Sequence, residues 1–270
     1  MALTKKIVLL GAGNMGGAML AGWLKSGIAG SSILILDPRV SDAMAASAAG
    51  HGVEIAAAPP EGMKAETIFL AVKPQIMDVA LPPVKSLVGP GTVVVSIAAG
   101  KTLSFIEGHL GEGAYVRAMP NTPAMVGRGV TGAFANAAVT PAQRAEVHDL
   151  LKVSGPVEWV SSEADIDSVT ALSGSGPAYV FYLVECMAEA GRKLGLPADL
   201  AMRLARETVS GAGELLHQSP EDASRLRTNV TSPGGTTAAA LSVLMAEDGM
   251  QPLFDAALAA ARRRAQELAN

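Results

Sequence analysis

The sequence predicts an α/β protein built as a parallel β-sheet domain followed by an all-α domain. Three observations predict it. Short aliphatic runs alternate with helical stretches through the first part of the chain; convincing strands stop near Asp165, with only long helical patterns after it; and a glycine-rich turn, 11-GAGNMG-16, directly follows the first strand and opens a helix. Strands that alternate with helices imply a parallel sheet with right-handed crossovers.

Taken in order, 6-KIVLL-10 is a buried-strand pattern, followed by the glycine turn and a helix to about Ser26. Further strands are 33-ILIL-36, 67-TIFLAV-72 and 92-TVVVSI-97, and between the last two 75-QIMDVALPPVKSLV-88 reads as a helix interrupted by Pro82 and Pro83. Shorter strands follow at 115-YVRAM-119, 131-TGAFA-135 and 157-VEWV-160, with a helix starting near 141-PAQRAEVHDLLKV-153. Helices are then expected at roughly 176–195, 199–217, 236–247 and 250–268, punctuated by Pro197, Pro220 and Pro252. The domain boundary is placed between residues 1–162 and 163–270. The stretch 178-AYVFYLVECMAEA-190 is apolar nearly all round, and such a helix needs burial on more than one side. Four or five helices alone hide it poorly, so an intimate, helix-swapped homodimer is expected, with larger assemblies left open.

Composition narrows the function. With 49% hydrophobic and 17% charged residues the chain is a compact folded protein rather than a disordered one. A formal net charge of −4 gives no reason to expect nucleic acid or an anionic membrane, and 262-RRR-264 reads as a solvated helix end. Cys186 is the only cysteine, which excludes a disulfide framework and a cysteine-built metal site within one chain; no metal is expected, and a buried small side chain is the reading for Cys186. The uncharged run Ile7–Leu24 behind Lys5 and Lys6 invites comparison with a signal peptide. It holds five glycines and an asparagine, however, and its apolar run proper ends at Leu10, so the expectation is a cytoplasmic protein with no membrane span.

The turn Gly11-Ala12-Gly13-Asn14-Met15-Gly16 matches G-x-G-x-x-G in the context that makes the pattern informative, between a strand and a helix. Gly11 permits the tight turn, Gly13 lets backbone N–H groups approach a pyrophosphate, and Gly16 lets the helix pack closely on the sheet, as in a Rossmann-type domain. The helix N-terminus then holds phosphate without a lysine. Asp37 ends the second strand, where a carboxylate commonly binds the ribose 2′-hydroxyl of NAD, while Arg39 is placed to pair with a 2′-phosphate. The reading favours NADP(H) and leaves NAD(H) open.

Four further segments, 71-AVKPQ-75, 117-RAMPNTPA-124, 173-SGSGPAY-179 and 232-SPGGTT-237, occur in the order and spacing of the pyrroline-5-carboxylate reductases, and the whole chain resembles that family. Met245 departs from it, standing where many members carry an acidic residue. The resemblance implies reduction of 1-pyrroline-5-carboxylate, a cyclic imine bearing a carboxylate, to L-proline in the last step of proline synthesis. On a protonated iminium the positive charge already draws the hydride, so the protein mainly positions two flat rings. That agrees with His51, His109, His148 and His217 falling outside every motif. The substrate carboxylate is expected at 232-SPGGTT-237, where a turn leading into a helix offers N–H groups at a positive dipole end. There Gly234 and Gly235 let the main chain approach, and Ser232, Thr236 and Thr237 add hydroxyls; an ordinary N-cap from Ser232 or Thr236 is the plainer reading. By the family's pattern Thr237 also reaches the imine nitrogen as the catalytic residue, and Glu163 and Asn229 line the pocket. The resemblance sets Ala71, Val72, Lys73 and Pro74, and likewise Ile97, Ala98 and Ala99, beside the cofactor at strand ends. It places Asn121 at the nicotinamide carboxamide, against the alternative of an Asx-turn, and Lys73 is equally readable as a solvated loop charge. Ser173–Pro177 should begin a helix whose glycines allow close packing, with Ser175 near the pocket.

The rivals are a β-hydroxyacid dehydrogenase, a related imine reductase and a non-enzymatic dinucleotide sensor. The first resembles G-x-x-G-x-G-x-x-x-K at the start of its second domain, the lysine acting as general acid/base; here Val180 stands where the lysine would fall. A sensor has no need of an anion-binding turn.

Overall fold

The computed structural model describes residues 4–269. Eight strands form one sheet: β1 Thr4–Leu10, β2 Ile33–Leu36, β3 Glu54–Ala56, β4 Lys64–Leu70, β5 Val93–Ser96, β6 Ala114–Met119, β7 Thr131–Ala135 and β8 Val157–Trp159. Their order is β3-β2-β1-β4-β5-β6-β7-β8, every neighbouring pair parallel except β6 with β7. The order reverses between β1 and β4, which opens a crevice at the carboxyl ends of those strands. The three-residue strand β3 is too short for its sequence to show a period, and the sequence reading passed over it.

The helices of this part are α1 Asn14–Lys25, α2 Asp42–Gly50, α3 Met77–Val84, α4 Leu103–Leu110, α5 Pro141–Leu151 and α6 Asp165–Val169. They cover both faces of the sheet, which explains why its strands are aliphatic without alternation. One face carries Ile7, Leu9, Ile33, Ile35, Phe69, Val93 and Val95 against Met19, Leu20 and Trp23 of α1 and Val147, Leu150 and Leu151 of α5. The opposite face, one residue out of step, carries Val8, Leu10, Leu34, Leu36, Ile68, Leu70 and Val94 against α3 and α4. Trp23 is wholly buried, tilted on Phe69 at 4.8 Å between centroids, and donates its indole N–H to the carbonyl of Leu150 at 2.8 Å. Pro82 and Pro83 do not interrupt α3. They lie in its last turn, and the helix closes directly after them with Lys85 N–H bonding to the Pro82 carbonyl in a tightened turn. β4 stops at Leu70, two residues before the sequence reading placed its end, and Ala71 N–H makes a further bond to the Leu10 carbonyl at 2.8 Å.

The chain divides into two compact units, one running through Gly174 and taking in the chain from Ala261, the other Ser175–Ala260. The break in contacts thus falls later than the sequence boundary after residue 162, because the intervening segment is built into the sheet unit. Ile166 and Ala171 are buried there, and Val169 crowds Gly132 of β7 so closely that a Cβ on Gly132 would lie 2.5 Å from its Cγ1. After α6 the backbone widens into a π-turn, Thr170–Gly174, and Gly174 sits against the end of the Met119 side chain.

The second unit holds α7 Gly176–Lys193, α8 Ala198–Gln218, α9 Ala223–Asn229, α10 Thr236–Leu244 and the first part of α11, Met250–Ala269. Pro177 and Pro252 stand in the first turns of α7 and α11, where no intrahelical N–H is lost. Among its described residues the buried apolar side chains are Ala188, Ala201 and Ala205, all small. Phe181 and Tyr182 are 62% and 66% exposed. Cys186 is exposed as well, contrary to the buried position expected of it, because it shares the uncovered side of α7. Among the described residues no helix is long and apolar enough to cross a membrane.

The packing of α6 on β7 carries a prediction. Gly132→Val should destabilise the protein by about 1–3 kcal/mol through overpacking against Val169, read as a lowered midpoint of thermal unfolding.

Candidate active site

The turn between β1 and α1 is fixed by what cannot fit. Gly11 has φ +92°, and a Cβ there would lie 2.8 Å from Val72 Cγ1; a Cβ on Gly16 would lie 2.3 Å from the Gly11 carbonyl oxygen. Neither position accepts a side chain. Gly13 differs: its φ is −70°, ordinary for any residue, and a Cβ on it would meet nothing within 4 Å. Packing within the chain gives no reason for glycine at Gly13, whereas a pyrophosphate laid against the backbone does. Gly13 is also the N-cap of α1 and contributes no side-chain cap, and the first turn of α1 carries no acidic residue. The leading N–H groups of the helix and its positive end therefore face outward with their hydrogen-bonding capacity unspent.

This turn forms one wall of a cleft of about 480 Å³ whose lining includes Ala12, Gly13, Asn14, Asp37, Arg39 and Met125. The structure thus brings together most of the residues singled out around the glycine motif. Gly11, Met15 and Gly16 stand behind the lining, Met15 packing partly buried against the core. Asp37 holds the turn shut: its Oδ2 accepts from Ala12 N–H at 3.0 Å and its Oδ1 from Arg39 N–H at 2.9 Å. Arg39 is exposed at the cleft. The carboxylate is occupied with the protein's own backbone, and the cation faces the lumen. Ser41, Met44 and Met125 also line the cleft and were not foreseen. Gly17 was a signal for Met44, since a Cβ on Gly17 would lie 2.8 Å from Met44 Cε.

The neighbouring strand ends behave as a set. Ala71 and Val72 leave β4 directly behind Gly11, Lys73 is exposed, and Pro74 opens a 3-10 turn. Ile97 and Ala98 are buried at the end of β5, with Ile97 N–H bonded to the Leu70 carbonyl; Ala99 is exposed. Asn121 is spoken for by the protein: its amide nitrogen donates to the Ser173 carbonyl at 3.2 Å and its Oδ1 accepts from Val130 N–H at 3.0 Å. It staples the loop after β6 to the π-turn. Ser175 is the N-cap of α7 and makes no side-chain cap bond.

Glu163 belongs to the sheet unit, where its Oε1 accepts from Leu103 N–H at 2.8 Å and pairs with Arg117 Nη1 at 3.3 Å. Asn229, in the helical unit, is exposed and donates to Glu221 at 3.0 Å, a partner the sequence reading passed over. In the same unit Gly234 has φ +71°, Gly235 N–H closes a turn on the Ser232 carbonyl at 3.0 Å, and Gly235 is the N-cap of α10. No side chain caps this helix, so the plainer reading of the segment, a cap from Ser232 or Thr236, is not what it forms. Thr236 and Thr237 occupy the first two helical positions, where backbone N–H groups have no intrahelical partner.

An uncapped, acid-free helix start behind a glycine turn at the switch point of a parallel sheet defines a dinucleotide-binding protein of the Rossmann class. Comparison with known proteins is more particular. A family model described as pyrroline-5-carboxylate reductase dimerisation matches residues 163–268, and one described as NADP oxidoreductase coenzyme F420-dependent matches residues 6–100. The pyrroline-5-carboxylate reductase of Pseudomonas aeruginosa is 39% identical over 269 residues, covering 99% of this chain and 98% of that one. The structure of the Coxiella burnetii pyrroline-5-carboxylate reductase superposes with a TM-score of 0.91 at 36% identity, over 99% of this chain and 100% of that one. A Plasmodium falciparum pyrroline carboxylate reductase, solved with NADP bound, gives 0.80 at 28% identity over 98% of each chain. The chain belongs to the pyrroline-5-carboxylate reductase family.

The contrast between the glycines is testable. Gly13→Ala should leave thermal stability near that of the wild type yet weaken NADPH binding about tenfold or more, read by fluorescence titration. Gly16→Ala should instead lower the unfolding midpoint, because its methyl group meets backbone.

Proposed function

We propose that this protein reduces 1-pyrroline-5-carboxylate to L-proline with a reduced nicotinamide dinucleotide, NADP(H) being the favoured cofactor. The observation that carries the substrate side is the 232–237 turn: a positive φ, two consecutive glycines and a helix start that no side chain caps. Its N–H groups and the Ser232, Thr236 and Thr237 hydroxyls are donors suited to a carboxylate. Gly234 and Gly235 leave the main chain open to it. Thr237 is proposed to bond the ring nitrogen and so orient the imine. Glu163 and Asn229, which the family pattern set in the same pocket, are engaged with Leu103 and Arg117 in one case and Glu221 in the other, and the binding role rests on the turn without them.

On the cofactor side, the Gly11–Gly16 turn and the start of α1 would hold the pyrophosphate, and Arg39 a 2′-phosphate. When bound, the nicotinamide supplies the hydride. The iminium form of the substrate enters already protonated, so the chain's task is to hold two rings in register, and a strong general acid is unnecessary. Val180, where a β-hydroxyacid dehydrogenase would carry its lysine, accords with this. The helical part, residues 163–270, is proposed to supply the dimer interface: the exposed Phe181, Tyr182, Leu215 and Leu253 have too little covering within the chain. A cytoplasmic location fits.

Oxidation of NADPH on addition of pyrroline-5-carboxylate, beside a panel of β-hydroxyacids with NADP, tests the reading; turnover of a hydroxyacid alone would overturn it. Thr237→Ala should lower kcat much more than it weakens NADPH binding, whereas equal losses in steady-state and binding assays would remove its substrate role. Arg39→Ala should weaken NADPH about tenfold or more and spare NADH, since a hydrogen-bonded charged contact is worth roughly 1.5–3 kcal/mol. Sedimentation should find no active monomer.

A further inference from the structure

Arg117 is 3% exposed in the middle of β6, and its guanidinium reaches two carboxylates from the segment that follows β8: Asp167 Oδ1 at 3.0 Å and Glu163 Oε1 at 3.3 Å. Asp167 is itself buried, so that pair satisfies two charges which would each be costly alone. Glu163 is more exposed and has a second task. The same Oε1 accepts the N–H of Leu103, the first residue of α4, at 2.8 Å. That amide is one of those a helix start leaves without an intrahelical partner. Thr102, the N-cap, serves Phe105 N–H with its own side chain, so Glu163 satisfies what the cap leaves over.

The place of this bond gives it meaning. Residues 97–102 connect β5 to α4 at the carboxyl edge of the sheet, beside the end of β4 that touches the glycine turn. The connection is pinned at three points. Ile97 N–H bonds the Leu70 carbonyl at its start, Gly100, at φ +70°, lies under Leu268 of α11 with room for no Cβ (2.9 Å from Leu268 Cβ), and Glu163 holds Leu103 at its end. Beside the apolar Leu268 and Ser96, whose Oγ accepts Ala98 N–H at 3.3 Å, the side chain that holds the connection is Glu163, and its carboxylate is paired with Arg117.

The geometry points to Arg117 and Glu163 as positioning residues for the cofactor: Arg117 holds the Glu163 carboxylate against Leu103 N–H, and that contact fixes the 97–102 connection in the form that receives the dinucleotide. This role is distinct from the place in the substrate pocket that the family resemblance implies for Glu163. The inference rests on the dinucleotide-binding reading and is separable from the choice of substrate, because NADPH binding is measured with no imine present.

Glu163→Ala should raise the dissociation constant for NADPH at least tenfold in a fluorescence titration. Amide exchange in residues 101–105 should quicken in the same variant. Glu163→Gln, whose carbonyl still accepts from Leu103 N–H, should recover most of the affinity. Arg117→Lys should weaken NADPH binding in the same direction, and combining it with Glu163→Ala should add little, since the two act through one bond. Should Arg117→Lys fail to fold, the Ala and Gln variants at Glu163 decide the matter alone. Unchanged NADPH affinity in Glu163→Ala would overturn the proposal. So would a defect confined to the KM for the imine and shared equally by Glu163→Gln, which would make the carboxylate a substrate ligand.

Discussion

The sheet unit depends on the close approach of the β1–α1 turn to the end of β4. Gly11 lies against Val72 and Gly16 against the Gly11 carbonyl with no space for a methyl group at either. That approach seats the start of α1 over the reversal in strand order, and everything chemical on this side follows from it. Asp37 can reach Ala12 N–H only because the turn is so tight, and once there it closes the cleft wall and leaves Arg39 as the side chain facing the opening. An opening suited to an anion is thus written into backbone geometry, with the Arg39 cation beside it.

Polar side chains do the joining elsewhere. Asn121 ties the loop after β6 to the π-turn, and Arg117 ties the β6 strand to Glu163 and Asp167. These contacts make residues 163–174 part of the sheet unit although they match the dimerisation family model. Membership in a sequence family segment and membership in a packed body are different properties, and here they overlap without coinciding. The helical unit is the reverse case, with alanines for a core and its large apolar side chains outward.

Much of this was legible in the chain itself. The strand runs at 33–36 and 131–135 coincide with β2 and β7, the first because a buried parallel strand is an unbroken aliphatic run bounded by turns. The glycine motif was legible because Gly11 and Gly16 each have a separate steric cause and Gly13 has none within the chain. What escaped was of two kinds. Short elements such as β3 and α9 offer too few residues for a period to appear. Long-range polar pairs, Arg117 with Asp167 or Glu163 with Leu103, join positions 50 and 60 residues apart, and nothing in either local sequence announces the other. Cys186 is exposed within the single chain, on the side of α7 that the chain's own helices leave uncovered and for which a partner was expected.

The last helix has a topological consequence. α11 is continuous from Met250 to Ala269, yet from Ala261 onward it counts with the sheet unit, where Leu268 rests on Gly100. Ser175–Ala260 is therefore an insertion spliced into its host rather than an appendage hung from it. A protease nick anywhere in that insert would leave the nucleotide-holding body as two fragments joined only by packing. An excised version ending at Gly174 would lack the lid over Gly100, so that host and guest are expected to be made, and lost, together.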